Sequence, residues 1–291
     1  LINLKVIDNI LKNFDGTINI IDDKECVNGI FADRNIYENL QVNLYTVDIN
    51  ANRLSDNPNI ISEPWFLIYN FSTSEKFDCT YNWSYEFVQN KFISLISNTK
   101  SEVKNHRTRL IEFIELYDID CCYSNLDQNK TLTEISEHYP NGYYKNNFDY
   151  GVPKEYFESC IDIVTESLAS FSTHFSEKTY KPLFYKKPFI SIAGPYYYET
   201  LKEYGFELYD ELFDYTFDIE EDEIVRTNDI MIQLKKLNAM SLKEVKDICR
   251  SIQPKIDHNY ETVMKQKPNF IGLTEKIVVL GVERKGAWKK F

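Results

Sequence analysis

Short apolar runs recur along the chain, separated by polar stretches with the length and turn residues of loops. Residues 16–23 (GTINIIDD), 41–49 (QVNLYTVDI) and 90–98 (NKFISLISN) read as strands, and 34–40 (RNIYENL) has the spacing of a short helix. Residues 64–71 (PWFLIYNF) form another short apolar run. In residues 100–118 (KSEVKNHRTRLIEFIELYD) the period changes to that of a helix, with Val103, Leu110, Ile114 and Tyr117 on one stripe and Ile111 beside it. Residues 118–124 (DIDCCYS), 160–167 (CIDIVTES) and 188–194 (PFISIAG) are three further strand candidates. Residues 196–210 read as helix, turn and short strand, and 217–266 as largely helical. Alternation of strand and helix predicts an α/β chain with parallel sheets covered by helices. The pattern restarts near residues 85–91, which predicts a domain boundary there.

Composition narrows the class. The chain has 291 residues, 43% hydrophobic and 27% charged, enough for two modest domains with packed cores. No apolar run is long enough to span a bilayer, and no leader peptide is visible, so a cytoplasmic protein is expected. The net charge of −12 disfavours nucleic acid as a partner. Six cysteines without a C-x-x-C pattern argue against a zinc site and against a disulfide scaffold. None of the nine glycines forms a G-x-G, so neither a Rossmann fingerprint nor a Walker loop is present. A phosphorylated ligand would have to be held largely by cationic side chains.

Cations gather at residues 177–187 (EKTYKPLFYKK). Glu166 ends a strand, and Glu177 opens a helix after a loop rich in Ser, Thr and His. Both should lie at the carboxyl ends of the strands, where open α/β sheets bind ligands. By position alone, Glu177 reads first as a first-turn acid behind a Ser176 N-cap. Lys178 and Lys181 share a helix face near that start, an unfavourable place for two cations unless an anion sits there; a solvated basic patch is the alternative. Lys186 and Lys187 read as a solvated turn. Pro182 leaves the helix start open, with Tyr180 as one possibility. Arg107 lies on the apolar stripe of its helix and Arg109 is turned away, so Arg107 needs either an anion or a buried ion pair. His106 reads as a satisfied or surface histidine. Asp118 and Asp120 form a D-x-D, as in metal-dependent sugar transferases, but ahead of a strand rather than after one.

Taken together, residues 163–194 (IVTESLASFSTHFSEKTYKPLFYKKPFISIAG) resemble the nucleotide-sugar-binding segment of the α-1,3/4-fucosyltransferases. That family pattern runs from a strand ending in Phe-Glu-Asn, through a Tyr-x-Thr-Glu-Lys motif, to an apolar strand. Glu166 takes the place of the first acid and Glu177-Lys178 that of the Glu-Lys pair, with Lys181 at a site often basic. Residues 96–124 are similar to the family's strand, arginine loop, helix and next strand, with Arg107 matching the arginine. The segment is also similar to viral and bacterial glycosyltransferase-like proteins carrying a TEKTxKP motif. The resemblance spans roughly residues 90–235. Ser167 stands in place of the family asparagine, His174 of a tyrosine and Ser176 of a threonine.

The resemblance implies a GT-B fold of two Rossmann-like domains: an acceptor-side domain over 1–88, a donor-binding domain over 89–270, and a tail over 271–291. It implies a metal-independent, inverting glycosyltransferase with a nucleotide-diphosphate sugar, GDP-sugar favoured and fucose possible, as donor substrate and no cofactor. The acceptor would be a glycan or another hydroxyl. Lys178 and Arg107 would stabilise the leaving diphosphate, with Lys181 and His174 also on the donor. Glu177 would bind the ribose hydroxyls, and Glu166 would orient the donor sugar or a catalytic lysine. Glu63 and Glu75 flank residues 64–71, and Glu75 is the preferred general base. A metal-dependent transferase using Asp118 and Asp120 is the alternative, as is a non-catalytic nucleotide- or glycan-binding protein.

Overall fold

The computed structural model describes residues 18–22, 42–46, 60–62, 84–97, 99–100, 104–128, 130, 132, 152–170 and 175–265. In the first part, strands β1 (Ile18–Asp22), β2 (Val42–Thr46) and β3 (Ile60–Ser62) form a parallel sheet in that order. β1 and β2 fall within the sequence-predicted strands, whereas β3 lies in a stretch (NPNIIS) too short to carry a period. The run at 64–71 and both candidate bases, Glu63 and Glu75, lie outside the described residues.

The rest is built on a second parallel sheet. Its strands are β4 (Asn90–Ile96), β5 (Cys121–Asn125), β6 (Ser159–Thr165) and β7 (Phe189–Ile192), in the order β5-β4-β6-β7. Seven helices accompany it among the described residues: α1 (Asn105–Leu116), α2 (Lys154–Phe157), α3 (Glu177–Phe184), α4 (Tyr197–Glu203), α5 (Glu223–Asn238), α6 (Leu242–Ser251) and α7 (Gln253–Lys265). The chain is thus α/β with parallel sheets, as the alternation predicts. β6 is buried at every position, as expected for an inner strand flanked on both edges and covered on both faces. Because β5 lies on one side of β4 and β6 on the other, the strand order reverses at β4. Connections from β4 and β6 therefore diverge and open a crevice at their carboxyl ends.

Helix ends follow local chemistry. Asp222 caps α5 through the amides of Ile224 and Val225, and Ser241 with Glu244 forms a capping box on α6. Three helices stop in the same way. After α1, α3 and α4 a residue adopts left-handed backbone (Asp118, φ 48°; Lys186, φ 53°; Gly205, φ 86°). The next amide returns to the carbonyl five residues back: Ile119 to Ile114, Lys187 to Pro182, Phe206 to Leu201. Only Gly205 is visible in the sequence as a residue suited to that conformation.

Two expectations need correction. The short strand expected near residue 208 is absent. Asn259 of α7 instead accepts from the Glu207 amide and donates to its carbonyl (both 2.8 Å), which satisfies the backbone groups a neighbouring strand would pair. Lys187 is not in a solvated turn but fully buried. Its ammonium donates to the Ser159 carbonyl and lies 4.9 Å from the centre of the Tyr156 ring. Asp162, buried in mid-β6, accepts from the Tyr156 hydroxyl at 2.8 Å. Burial lowers the Lys187 pKa to about 8 and raises that of Asp162 to about 6.

Candidate functional site at the carboxyl ends of β4 and β6

α3 runs from Glu177 to Phe184 with Pro182 inside it, so the helix starts at Glu177 and not at Tyr180. Pro182 occupies the place whose amide would bond the Lys178 carbonyl, and a helix of two turns accommodates that loss near its end. Ser176 is the N-cap, its hydroxyl oxygen accepting from the Lys178 amide at 3.2 Å.

That hydroxyl is fully used. It donates its one proton to the Glu166 carboxylate (2.6 Å) and accepts from both the amide and the ammonium of Lys178 (3.2 and 3.3 Å). Glu166, which follows β6, is completely buried and also accepts from the Ser176 amide (3.3 Å) and the Thr179 hydroxyl (2.5 Å). With the Thr179 proton committed to Glu166, Tyr197 must donate to Thr179 across their 2.6 Å contact. Glu166 therefore has no exposed surface for a sugar, and it reaches Lys178 through one hydroxyl. Of the two roles foreseen for it, orienting a lysine fits this placement.

Lys178 folds back over the helix start. Its ammonium donates to Glu177 (2.6 Å), Ser167 (3.2 Å) and Ser176 (3.3 Å). The side chains of Lys178 and Glu177 keep 17% and 22% exposure, so the pair faces outward where Glu166 does not. Burial alone would raise the Glu177 pKa, but the charge and hydrogen bond of Lys178 outweigh it and hold the carboxylate below its ordinary value. Glu177 is thus both a first-turn acid and a partner of Lys178. Lys181, three residues further along α3, is half-buried.

Arg107 is buried, as its place on the α1 stripe implies. Its guanidinium donates to the Thr165 and Glu166 carbonyls (3.2 and 3.1 Å) and to the Ser97 hydroxyl (3.2 Å). It ties the end of β6 to the end of β4 across the point where strand order reverses. A direct contact with a diphosphate would need that arrangement to open. His106, also buried, meets the Glu166 carbonyl through Nε2 at 2.9 Å. Burial first, and the Arg107 charge second, lower its pKa to about 3.

The structure adds a residue the sequence reading passed over. Arg226 of α5 is buried and donates to three main-chain carbonyls: Ala193 (3.0 Å), Glu220 and Ala169. It thereby gathers the segments after β6 and β7 and before α5. A sequence signal existed, because Arg226 shares the buried stripe of α5 with Ile230, Leu234 and Leu237, the situation that singled out Arg107. Asp127 is a second such residue. It accepts from the Thr99 and Lys100 amides and shapes the segment after β4, and those bonds, the Thr99 amide first, hold its pKa down.

Asp118 and Asp120 are placed differently from what a metal pair requires. Asp118 is the left-handed residue that ends α1, and Asp120 accepts from the Lys91 amide at 3.2 Å. Both precede β5 and so lie at the amino-terminal edge of the parallel sheet, opposite Glu166. Among the described residues no group of three or more His, Cys, Asp or Glu side chains is arranged to hold a metal ion. A small gap of about 10 Å³, room for one water at most, lies by β7, α3, α4 and α7, lined by Leu183, Phe189, Tyr198, Leu201 and Tyr209. It is apolar and remote from the strand ends, and we read it as part of the core. His174 and Glu75 lie outside the described residues.

Arg107, Glu166, Glu177 and Lys178 thus come together at one sheet edge, with Ser97, Ser167, Ser176 and Arg226, and Lys181 follows along α3. No helix among the described residues is long and apolar enough to cross a membrane. No family model matches the chain, and neither the curated proteins nor the solved structures contain a significant match.

Proposed function

We propose that the chain is a glycosyltransferase that binds a nucleotide-diphosphate sugar at the start of α3, within a GT-B-like arrangement of two Rossmann-like domains. The observation that carries the reading is the Lys178 ammonium, held over the N-terminus of α3 by Ser167, Ser176 and Glu177 beside the reversal of strand order. A helix N-terminus and an adjacent ammonium together favour an anion. The likeness of residues 163–194 to the fucosyltransferase donor segment supports a GDP-sugar as that anion.

In this reading a diphosphate displaces Glu177 from Lys178, and the freed carboxylate accepts from ribose hydroxyls. As the glycosidic bond breaks, negative charge grows on the leaving phosphate, and Lys178 stabilises it from a fixed position. Glu166 acts from behind, keeping the Ser176 hydroxyl oriented so that its lone pairs face the lysine. Arg107 and Arg226 keep the surrounding carbonyls in place. Glu75 is the proposed base that takes the proton of a glycan or other hydroxyl acceptor.

A thermal-shift screen against GDP-, UDP-, CMP- and dTDP-sugars tests this directly. The expected result is one donor that raises Tm by mass action, in wild type but not in Lys178→Ala. With that donor, Lys178→Ala should reduce turnover by about 10²-fold or more, the usual cost of one lost transition-state donor. Unchanged turnover in the variant, or no shift with any donor, would count against the reading.

A further inference from the structure

His106 is committed on one side and open on the other. A carbonyl oxygen only accepts, so the 2.9 Å contact with Glu166 fixes the proton on Nε2. Nδ1 then carries a lone pair. It is buried and has no hydrogen-bond partner among the described residues. Glu223 Oε1 lies 3.9 Å from it. Glu223 is the first residue of α5, its side chain one quarter exposed.

An ionised carboxylate cannot satisfy a lone pair, whereas a protonated one can. We propose that Glu223 is a positioning residue for the strand end after β6: by taking a proton from solvent and donating it in a hydrogen bond to His106 Nδ1, it latches the start of α5 onto α1. Through Nε2 the imidazole then passes that constraint to the Glu166 carbonyl, which Arg107 also holds. The latch closes in acid and opens as pH rises.

The surrounding charges fit this. On α1, Arg109 acts on Glu223 and Arg107 on His106, and Lys104, which precedes α1, also acts on His106; on α5, Arg226 acts on both. From the preceding segment Asp222 acts on Glu223, while Asp218 and Glu220 act on Arg226. The segment after β7 contributes the Ala193 carbonyl, bound by Arg226. Burial outweighs the cations and raises the Glu223 pKa above its ordinary value, while His106 stays neutral down to about 3. A neutral imidazole thus meets a neutral carboxyl between about 3 and the raised value for Glu223.

The test needs no substrate and stands apart from the donor screen. Histidine side-chain ¹⁵N shifts are followed from pH 4 to 8, with His106 assigned through its backbone. Hydrogen exchange of residues 216–226 is measured over the same range and corrected for intrinsic rate. In wild type, the Nδ1 shift should move with a midpoint above the ordinary glutamate value while Nε2 keeps its proton. Protection of 216–226 should fall about fivefold as pH rises, the size of one net hydrogen bond. Glu223→Gln, which donates at every pH, should abolish both dependences and keep the acid-state protection. Glu223→Asp, too short to reach, should abolish them at the open level. A flat Nδ1 shift in wild type, or an unchanged titration in Glu223→Gln, would overturn the proposal.

Discussion

Ser176 shows how much a single buried hydroxyl can be asked to do. Its one proton goes to Glu166 and both lone pairs go to Lys178, so no other side chain of similar size reproduces the set except threonine. Ser176→Ala removes a helix cap and leaves the buried Glu166 carboxylate short of a donor. Together these should cost about 2–3 kcal/mol, read as a drop in the urea midpoint. Ser176→Thr should recover most of it. A loss below about 0.5 kcal/mol for the alanine variant would mean the network is weaker than its geometry. This part of the site was legible in outline: Arg107 on a buried stripe follows from spacing, and Ser176 as N-cap with Glu177 in the first turn was one of the two helix starts the sequence allowed. The inward turn of Glu166 was not legible, because a carboxylate after a strand faces a crevice or the core according to the side chains that later pack beside it.

At the scale of the element, the same helix stop recurs after α1, α3 and α4 with Asp, Lys and Gly in the left-handed position. The two without glycine carry a small conformational cost. Asp118→Gly should therefore stabilise the protein by a few tenths to about 1 kcal/mol, seen as a higher urea midpoint. The same variant separates two readings of the D-x-D. Under the proposed metal-independent function, transfer activity should persist in it, whereas a transferase relying on Asp118 as a metal ligand would lose activity. Strand and helix types were readable for β4 to β7 from short apolar runs bounded by polar residues, and for α1 from its apolar stripe at helical spacing. The segment around Glu207 was not, since its backbone partner is a side chain, Asn259, more than fifty residues away. No local pattern encodes such a partner.

For the whole molecule, the Lys187, Asp162 and Tyr156 group makes stability depend on pH. Burial raises the Asp162 pKa to about 6, so the folded state binds a proton that the unfolded chain releases near 3.8. That contribution is fully present below 3.8 and is lost as pH rises through about 6. Urea unfolding from pH 4 to 6.5 should show this decline superposed on the other carboxylates, and Asp162→Asn should flatten it. An equally steep profile in the variant would place the dependence elsewhere.

The sequence by itself determined the α/β class, the strands of the second sheet and the placing of Glu166, Glu177 and Lys178 at the carboxyl ends of the strands, with the Ser176 cap as one of two starts it allowed for α3. These rest on periods, caps and chain order, all of which act over a few residues or follow from the geometry of parallel strands. Tertiary structure alone decided that Lys187 is buried, that Glu166 faces Ser176 and Thr179, that Arg107 and Arg226 spend their donors on carbonyls, and that Asp118 and Asp120 lie at the far edge. Each depends on what packs against the residue from a distant part of the chain. A charged side chain carries no mark of its burial until carbonyls and hydroxyls from other elements arrive to satisfy it.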